Sequence, residues 1–452
     1  MKILLINPSW GNRFQGQRFN RSWPPLDLLY TAARLRASGF EVELIDARAA
    51  GLRPAKTHLP STDLVVVSTS PLDRWQCPNI DLEPLIEWTR LIEPEKLIIY
   101  GIHGTLFPES LLDLTGAGAV VRGEPEDTVP ALCLAMARPG SSLEALPSIS
   151  YRDGARIVHN PPAPPVDLST LPLPAYDLAD PRGYRYELLG GRMALLETAR
   201  GCPHSCTFCL KTMYGDKVRK KPTARVAEEV DLVRSAGYRH VYFIDLEFCL
   251  DRRRALELCA VMRDAGLDWC CQTRVDDVDP ELLREMAASG CRLIHYGVES
   301  GAPGTPIRTE KRISFSQTEK AIHWAKSAGI GTAAFFLLGF SWETPRDWLE
   351  TEMFARKLNP TYASFHRVTP YAGTRLGGAA RSTRPWWEMA PELSIPDSRL
   401  RRIYLRYYLR SAYIVELLRN GTNLLSAAGL FLDFLRGAGA AVPKKKPSRN
   451  VM

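Results

Sequence analysis

The sequence lacks an apolar run long enough to cross a bilayer. The longest run near its end, around residues 424–435, falls well short of the ~20 residues that a transmembrane helix requires. No small-residue cleavage site follows the apolar stretch that begins at Lys2, so we interpret that stretch as a first β-strand rather than a signal peptide. These absences predict a cytoplasmic protein with no membrane partner.

Repeats of a fixed period are absent, and charge is not gathered into blocks over most of the chain. The net charge is +8, but the arginines that dominate it are spread along the sequence, which argues against nucleic acid as a partner. Hydrophobic residues make up 45% of the chain, enough for a substantial core. A length of 452 residues predicts two or three domains.

Cysteine is present, but its distribution argues against a secreted disulfide framework. Seven of the ten cysteines are scattered through apolar runs, where a free cysteine behaves as a small hydrophobic residue. The other three, Cys202, Cys206 and Cys209, form a C-x3-C-x2-C motif directly after a predicted strand. Three thiolates on one loop can each hold one iron of a [4Fe–4S] cluster and leave the fourth iron free to bind a small molecule.

Zinc is the alternative to weigh against this cluster. Structural zinc sites normally pair C-x2-C with a second pair of ligands, and the spacing here does not provide one. His204 lies between two of the cysteines and is expected to face solvent. The motif therefore favours the iron–sulfur cluster, which also requires a reducing compartment.

The N-terminal part of the chain alternates short apolar strands with helical segments. A helix is predicted over residues 26–37, because the apolar spacing is helical and a Ser-Gly C-cap signal follows. Wholly apolar strands alternating with helices indicate a parallel sheet covered on both faces, whose ligands bind beyond the carboxyl ends of the strands. The predicted strands are residues 2–7, 41–46, 64–68, 97–100 and 119–122.

A second alternation of strands and helices fills the middle of the chain. Six βα units, with no sign of two more, predict an open (β/α)6 barrel with its active site at the carboxyl ends of the strands. The predicted strands are residues 193–198, 240–244, 268–272, 292–296, 332–338 and 362–368.

Together these patterns predict an α/β protein with several parts. A Rossmann-like parallel sheet over residues 1–145 is followed by a linker over residues 146–189, which is Pro-rich and contains a small hairpin. The barrel occupies residues 190–376, a helical region residues 377–440, and a disordered basic tail residues 441–452.

The cysteine motif and the segments at successive strand ends resemble those of the radical S-adenosylmethionine (SAM) superfamily. The resemblance covers about residues 190–376. It implies a [4Fe–4S] cluster on the three cysteines, SAM on the open iron, and a 5′-deoxyadenosyl radical that abstracts hydrogen from a substrate. Each segment alone could be an ordinary cap, turn or surface ion pair. Their joint placement is what favours the family.

The same resemblance implies which residues contact SAM. They are Phe208, Asp245, Glu247, Arg274, Glu299, Ser300 and Gly339. By the family pattern, Asp245 and Glu247 lie near the SAM amine, and Arg274 meets the SAM carboxylate. Glu299 and Ser300 come from the fourth-strand motif, and the phenylalanine and the glycine lie beside adenine.

Residues 1–140 resemble the cobalamin-binding domain that is joined to many radical SAM methyltransferases. The Asp-x-His-x-x-Gly motif for a lower histidine ligand is absent, as is common in that subgroup. The fourth-strand loop, usually Gly-Gly-Pro-His, reads Tyr100-Gly-Ile-His-Gly104, and the first loop carries the bulky Trp10, Arg13 and Phe14. Two possibilities therefore stay open: the domain binds cobalamin, or it has lost the cofactor and is vestigial.

Two enzymatic functions follow. The length and the altered loop resemble the radical SAM diol dehydratases of aminoglycoside biosynthesis, which implies 1,2-diol dehydration, a C3′ deoxygenation of an aminosugar such as paromamine. Tyr214 and Glu247 are the candidates for proton transfer in that reaction. The alternative is a cobalamin-dependent radical SAM methyltransferase of natural-product biosynthesis.

The dehydration also implies partners. Acidic groups such as Asp276 and Asp277 could meet a polar, cationic aminosugar. An electron donor such as flavodoxin and a dehydrogenase that reduces the keto product are expected. A non-enzymatic hypothesis uses the basic helix over residues 399–410 to bind nucleic acid or a membrane surface. The simpler interpretation is a helix that closes the open side of the barrel, with arginine stems over apolar surface.

Overall fold

The computed structural model describes residues 1–9, 22–138, 140–186, 188–378, 385, 395–411 and 413. The chain divides into two compact units, the first made of Met1–Ser9 and Arg21–Ser394 and the second of Trp10–Asn20 and Ile395–Met452. Several sequence predictions concern residues outside the described part. They are the bulky first loop, most of the helical region over residues 377–440, and the tail over residues 441–452.

The described strands belong to two large sheets and two small antiparallel pairs. They are β1 (Lys2–Asn7), β2 (Glu41–Asp46), β3 (Leu64–Ser68), β4 (Leu97–Tyr100), β5 (Ala119–Val121), β6 (Ile149–Asp153), β7 (Arg156–His159), β8 (Arg185–Tyr186), β9 (Gly190–Gly191), β10 (Met193–Leu196), β11 (Ala199–Arg200), β12 (Arg219–Lys220), β13 (His240–Phe243), β14 (Asp268–Thr273), β15 (Cys291–Glu299), β16 (Gly331–Leu338) and β17 (Tyr362–Arg367).

Most of the described α-helices connect successive strands. They are α1 (Leu26–Ala37), α2 (Ala47–Ala50), α3 (Glu83–Thr89), α4 (Ile102–Leu106), α5 (Pro108–Thr115), α6 (Pro125–Met136), α7 (Thr223–Ser235), α8 (Arg252–Ala265), α9 (Pro280–Ala288), α10 (Thr305–Arg308), α11 (Phe315–Ser327), α12 (Pro345–Leu358) and α13 (Asp397–Tyr408). None of them combines the length and the apolar character that a membrane span requires.

The first sheet has seven strands in the order β2-β1-β3-β4-β5-β6-β7. Strands β1 to β5 are parallel, and β3, β4 and β5 are wholly buried and, apart from Ser68, apolar or aromatic, as expected for a sheet covered on both faces. The hairpin of β6 and β7 had been expected in the linker. It instead pairs antiparallel with β5, and thereby covers a sheet edge that would otherwise be exposed.

The second sheet is the predicted open barrel. Its six strands are parallel and follow chain order, β10-β13-β14-β15-β16-β17, with helices α7, α8, α9, α11 and α12 in the connections. In the described part of the chain, β10 and β17 each pair with one neighbour in this sheet, so the barrel is not closed. The predicted α/β fold, a parallel sheet followed by a (β/α)6 barrel, is confirmed.

Buried polar contacts join the two sheets within the first unit. The Tyr30 hydroxyl on α1 donates a hydrogen bond of 3.0 Å to Glu229 on α7. The same carboxylate accepts from Lys221 at 2.8 Å, and both side chains of this ion pair are fully buried. Because unpaired buried charges are costly, such a closed set of partners favours one arrangement of the two sheets.

The described part of the second unit centres on α13. The guanidinium of Arg410 lies 3.8 Å from the ring centroid of Tyr407, and Tyr407 meets Tyr408 edge to face at 4.9 Å. One arginine that follows this helix therefore packs on aromatic surface.

Candidate active site

The three cysteines of the C-x3-C-x2-C motif lie on one loop at the carboxyl end of the first barrel strand, after β10 and β11. Cys202 is buried, and Cys206 and Cys209 are partly exposed. The pKa of Cys209 is raised to about 12, mainly by burial and also by the neighbouring thiols of Cys206 and Cys202. The loop thus gathers three thiols into one neighbourhood.

The three thiols of the loop are the donor set that a cluster would use. Burial raises the pKa of each thiol, and coordination by iron, which binds thiolates, would offset this cost. The donor set therefore fits a [4Fe–4S] cluster with one iron left open.

The loop that carries the three cysteines, residues 201–218 between β11 and β12, is called the cluster loop, and its backbone is held tightly at its start. Gly201 has a φ of +104°, and a Cβ there would lie 2.2 Å from the carbonyl oxygen of Lys217. Only glycine fits such a conformation and such a close approach. The Cys202 amide donates to the carbonyl of Gly215 at 3.2 Å, and Lys211 Nζ donates to the Cys202 carbonyl at 3.0 Å.

A buried charge cluster lies behind the loop. Arg200, two residues before the first cysteine, is fully buried and pairs with Glu124 at 3.1 Å, Glu126 at 2.9 Å and Glu197 at 2.5 Å. Two of these carboxylates come from the segment that follows β5 in the first sheet. The first sheet therefore supports the segment that leads into the cysteines.

Glu299, at the end of β15, forms an ion pair of 2.5 Å with Lys311. It has a φ of +69°, an uncommon conformation for a residue with a side chain. The Lys311 ammonium lies 6.0 Å from the ring centroid of Phe208 on the cluster loop, and Phe208 meets Phe340 edge to face at 6.2 Å. Lys311, which the sequence motifs did not indicate, thus lies between two predicted SAM contacts, Glu299 and Phe208.

Arg274 and Glu247 are also brought together. The Arg274 amide donates to a Glu247 carboxylate oxygen at 2.9 Å, and the guanidinium pairs with Asp276 at 2.8 Å. Burial raises the pKa of Glu247 well above its usual range, and Asp277 beside it raises the pKa further. Ligand atoms of His204, Glu247 and Asp277 all lie within 4.8 Å of one another, so a group of polar side chains includes the histidine of the cysteine motif.

Two other predicted SAM residues have structural partners. The buried Asp245 carboxylate accepts a hydrogen bond from the Thr198 amide at 2.6 Å and another from the Thr198 hydroxyl, which ties the segment after β13 to the segment after β10. Ser300 shares a hydrogen bond of 3.0 Å with Thr351 on α12. Contact of either residue with SAM stays a prediction.

Gly339 and Tyr214 complete the predicted set. Gly339 has a φ of +93°, and its amide donates to Glu343 at 2.7 Å. Tyr214 is buried, and its hydroxyl donates to the Leu72 carbonyl at 3.0 Å. Because this phenol links the two sheets through a backbone acceptor, its geometry gives it a packing role, and proton transfer by Tyr214 stays a prediction.

The barrel interior holds polar residues that the sequence motifs did not indicate. The buried His295 on β15 bonds the Tyr186 hydroxyl at 2.7 Å and the Tyr242 hydroxyl at 3.2 Å through its two ring nitrogens. Phe335 and His366, both partly exposed, continue this lining with ring centroids 6.0 Å apart. The sequence signal available for these residues was the position of each one within its strand, β15, β16 or β17. Side chains two residues apart in a strand lie on the same face, so the position indicates which side chains face the interior.

The carboxyl edge of the first sheet lies next to the cluster loop. Residues 70–79, the bridging loop, follow β3 and extend to Cys209, where Gln76 Nε2 lies 3.1 Å from the cysteine sulfur. His103 is fully buried, and its ring nitrogens bond the Thr69 hydroxyl at 3.0 Å and the Asn79 carbonyl at 2.8 Å. His103 therefore offers no free nitrogen to a metal at this edge.

Comparison with known proteins gives a family match in the barrel. Residues 196–355 match the family model of the radical SAM superfamily. An uncharacterized methyltransferase of Pyrococcus horikoshii is 28% identical over 92% of this chain and 94% of its own. The anaerobic magnesium-protoporphyrin IX monomethyl ester cyclase of Rubrivivax gelatinosus is 28% identical, over 82% of this chain and 68% of its own.

A further relative and two solved structures extend the likeness to both sheets. The cytidylyl-2-hydroxyethylphosphonate methyltransferase of Streptomyces wedmorensis is 27% identical over 83% of this chain and 80% of its own. The cobalamin-dependent SAM radical enzyme OxsB aligns with a TM-score of 0.70 at 17% identity, over 97% of this chain and 72% of its own. The radical SAM methyltransferase TsrM of Kitasatospora setae aligns with a TM-score of 0.65 at 21% identity, over 83% of this chain and 77% of its own. At these identities the structures bear on the fold alone.

Proposed function

We propose that this chain, whose residues 196–355 match the radical SAM superfamily, is a radical SAM methyltransferase that uses a [4Fe–4S] cluster and SAM together with a corrinoid and acts on a small molecule. Two of the three relatives named above are methyltransferases, and one of them aligns with nearly the whole chain. None of the three is a diol dehydratase. These relatives favour methyl transfer over the dehydration expected from the altered loop.

The observation that carries the proposal is the position of the first sheet. Its carboxyl edge, where sheets of this kind bind ligands, adjoins the cluster loop through Tyr214 with Leu72 and through Gln76 with Cys209. A group bound on that edge would lie beside the cluster and SAM. A sheet with only a structural role would not need this edge to face the cysteines.

The described residues at the edge fit a corrinoid that receives no ligand from histidine. Both nitrogens of His103 are occupied, whereas the turn after β5 carries Gly123. A Cβ on Gly123 would meet no atom within 4 Å, so that turn has open space beside it. A corrinoid held there would supply the methyl carrier that this chemistry requires.

The residues of the chain itself would bind SAM and keep the site dry. We assign Glu299, held by Lys311, and Arg274, held by Asp276, to the polar part of SAM. Phe208 and Phe340 would flank its adenine. Buried apolar and aromatic groups around the cysteines would exclude water, which protects radical intermediates from side reactions.

The test is corrinoid retention together with product analysis under anaerobic conditions. The reconstituted full chain is mixed with hydroxocobalamin, freed of excess by gel filtration and scanned for the corrin spectrum. We expect about one corrinoid per chain. With SAM and a strong reductant, we expect S-adenosylhomocysteine as well as 5′-deoxyadenosine. A chain that retains no corrinoid and forms no S-adenosylhomocysteine would contradict the proposal.

Dehydration of an aminosugar is the second candidate, and the bridging loop favours it. Trp75 is fully buried against Tyr214 and Arg200, with ring distances of 5.4 and 5.2 Å, and Gln76 contacts Cys209 directly. These side chains occupy space between β3 and the cysteines. Such filling suits an enzyme that works without a corrinoid.

This second candidate has its own partners and its own experiment. The cationic substrate would meet acidic groups such as Asp276 and Asp277, a flavodoxin-like protein would supply electrons, and a dehydrogenase would reduce the keto product. Glu247, beside Asp277, is better placed than Tyr214 to transfer a proton. Incubation with paromamine, SAM and dithionite, without corrinoid, should give a dehydrated product and 5′-deoxyadenosine in equal amounts. A methylated product would eliminate this candidate.

A further inference from the structure

The bridging loop is fixed at both ends, which makes the position of its middle specific. Near its start, the Trp75 indole donates to the Ser70 carbonyl at 3.0 Å, and its ring packs on Tyr214 at 5.4 Å. Near its end, the Tyr371 hydroxyl donates to the Pro78 carbonyl at 3.2 Å. Barrel residues therefore hold a loop of the first sheet in one place over the cluster loop.

Gln76 lies between these anchors and meets a cluster ligand. Its Nε2 is a donor 3.1 Å from the Sγ of Cys209, and the side chain is only partly exposed to solvent. Cys209 is also restrained from its own side, since its amide donates to the Cys206 carbonyl at 3.2 Å. The contact thus joins a donor and an acceptor that are both fixed by their surroundings.

A hydrogen bond to a ligand sulfur changes the electronics of an iron–sulfur cluster. The sulfur carries more negative charge when the cluster is reduced, so a donor stabilises the reduced form more than the oxidised form and raises the reduction potential. We propose that Gln76 is a positioning residue through which the N-terminal domain raises the reduction potential of the cluster. This inference holds for either reaction considered above, because both begin with electron transfer from the cluster to SAM.

The test compares the same chemical change at two glutamines. Gln76→Met keeps the length of the side chain but removes the donor. Gln317→Met makes the identical change at the exposed start of α11, where it removes the hydrogen bond by which Gln317 caps the helix at Ser314 and no contact with a cysteine of the motif. Both full-length variants are reconstituted anaerobically, and the midpoint of the cluster is measured by a redox titration followed by electron paramagnetic resonance. We expect a more negative midpoint for Gln76→Met and an unchanged midpoint for Gln317→Met, with equal iron per chain.

A third variant keeps the test decisive if Gln76→Met binds little iron during reconstitution. Gln76→His retains an N–H donor of similar reach, so it should keep its iron and a midpoint closer to that of the unmodified protein. Iron loss from Gln76→Met but not from Gln76→His would support the hydrogen bond from residue 76 to Cys209, because it would show that this bond stabilises Cys209 as an iron ligand. Equal midpoints in all four proteins, or equal iron loss from both Gln76 variants, would overturn the proposal.

Discussion

Lys311 and Glu299 form a 2.5 Å ion pair in which each side chain is only about a tenth exposed, at 10% and 11%. The pair holds Glu299 in its left-handed conformation, with a φ of +69°, a conformation that costs on the order of 1–3 kcal/mol for a residue with a side chain. It also brings a cation near the face of Phe208. The turn after β15 is thereby tied to the cluster loop.

Removal of one partner should therefore cost more than removal of both. Lys311→Met leaves a mostly buried carboxylate without its cation, and we expect the free energy of unfolding to fall by on the order of 3 kcal/mol. In the double variant with Glu299→Gln, no charge is left unpaired, and part of that loss should be recovered. Urea unfolding of the single and double variants gives both values. Equal stability of the two would contradict this prediction, because neutralising the unpaired carboxylate would then recover nothing.

The second prediction concerns the start of the cluster loop. Gly201→Ala places a Cβ 2.2 Å from the Lys217 carbonyl oxygen at a φ of +104°, so the backbone must move and the cysteines with it. Gly215→Ala, in the same loop, introduces a Cβ at a φ of +78° with nothing within 4 Å, and should cost only about 1 kcal/mol. We expect Gly201→Ala to bind less than half the iron that Gly215→Ala binds after anaerobic reconstitution. Similar iron contents would contradict this prediction.

Sequence patterns predicted most of the fold because its elements are regular. Strands β1 to β4 and helix α1 begin and end at the predicted residues, since short apolar runs with clear turn signals leave few alternatives. The sequence predicts the hairpin of β6 and β7, but it does not predict that this hairpin pairs with β5. Its pairing depends on an exposed sheet edge, which is a property of the assembled sheet rather than of the segment.

The candidate site also contains residues that local sequence predicts and residues that it does not. Cys202, Cys206 and Cys209 have a local spacing that can be read from the chain. Gln76 lies 133 positions from its partner cysteine on a loop with no motif. Contacts of that kind depend on how two sheets meet, so neither residue type nor spacing indicated them.

The third prediction separates the motif cysteines from a buried cysteine elsewhere. Cys206→Ala removes one of the three predicted iron ligands, whereas Cys133→Ala removes a buried sulfur from the core of the first sheet. We expect Cys206→Ala to retain little iron and to form no 5′-deoxyadenosine. Cys133→Ala should retain both, with a modest loss of stability from the small cavity. Iron analysis and chromatography of the nucleoside check this, and normal iron in Cys206→Ala would refute the ligand assignment.

The last prediction concerns pH. Burial raises the pKa of Asp245 from 3.8 to about 6, although hydrogen bonds from Thr198 act in the opposite direction. Since the folded protein holds this proton more tightly than the unfolded chain, the carboxyl contributes stability at low pH that is lost as pH rises through about 6.

Asp245→Asn cannot ionise and should lack this dependence. Between pH 5 and pH 8, the free energy of unfolding of the unmodified protein should fall relative to that of the variant by about 1 kcal/mol. Asp264→Asn, at an exposed site on α8, is the matched control and should follow the unmodified protein. Urea unfolding across this pH range measures the three curves. If the Asp245→Asn curve runs parallel to the other two, Asp245 does not keep its proton in the folded state.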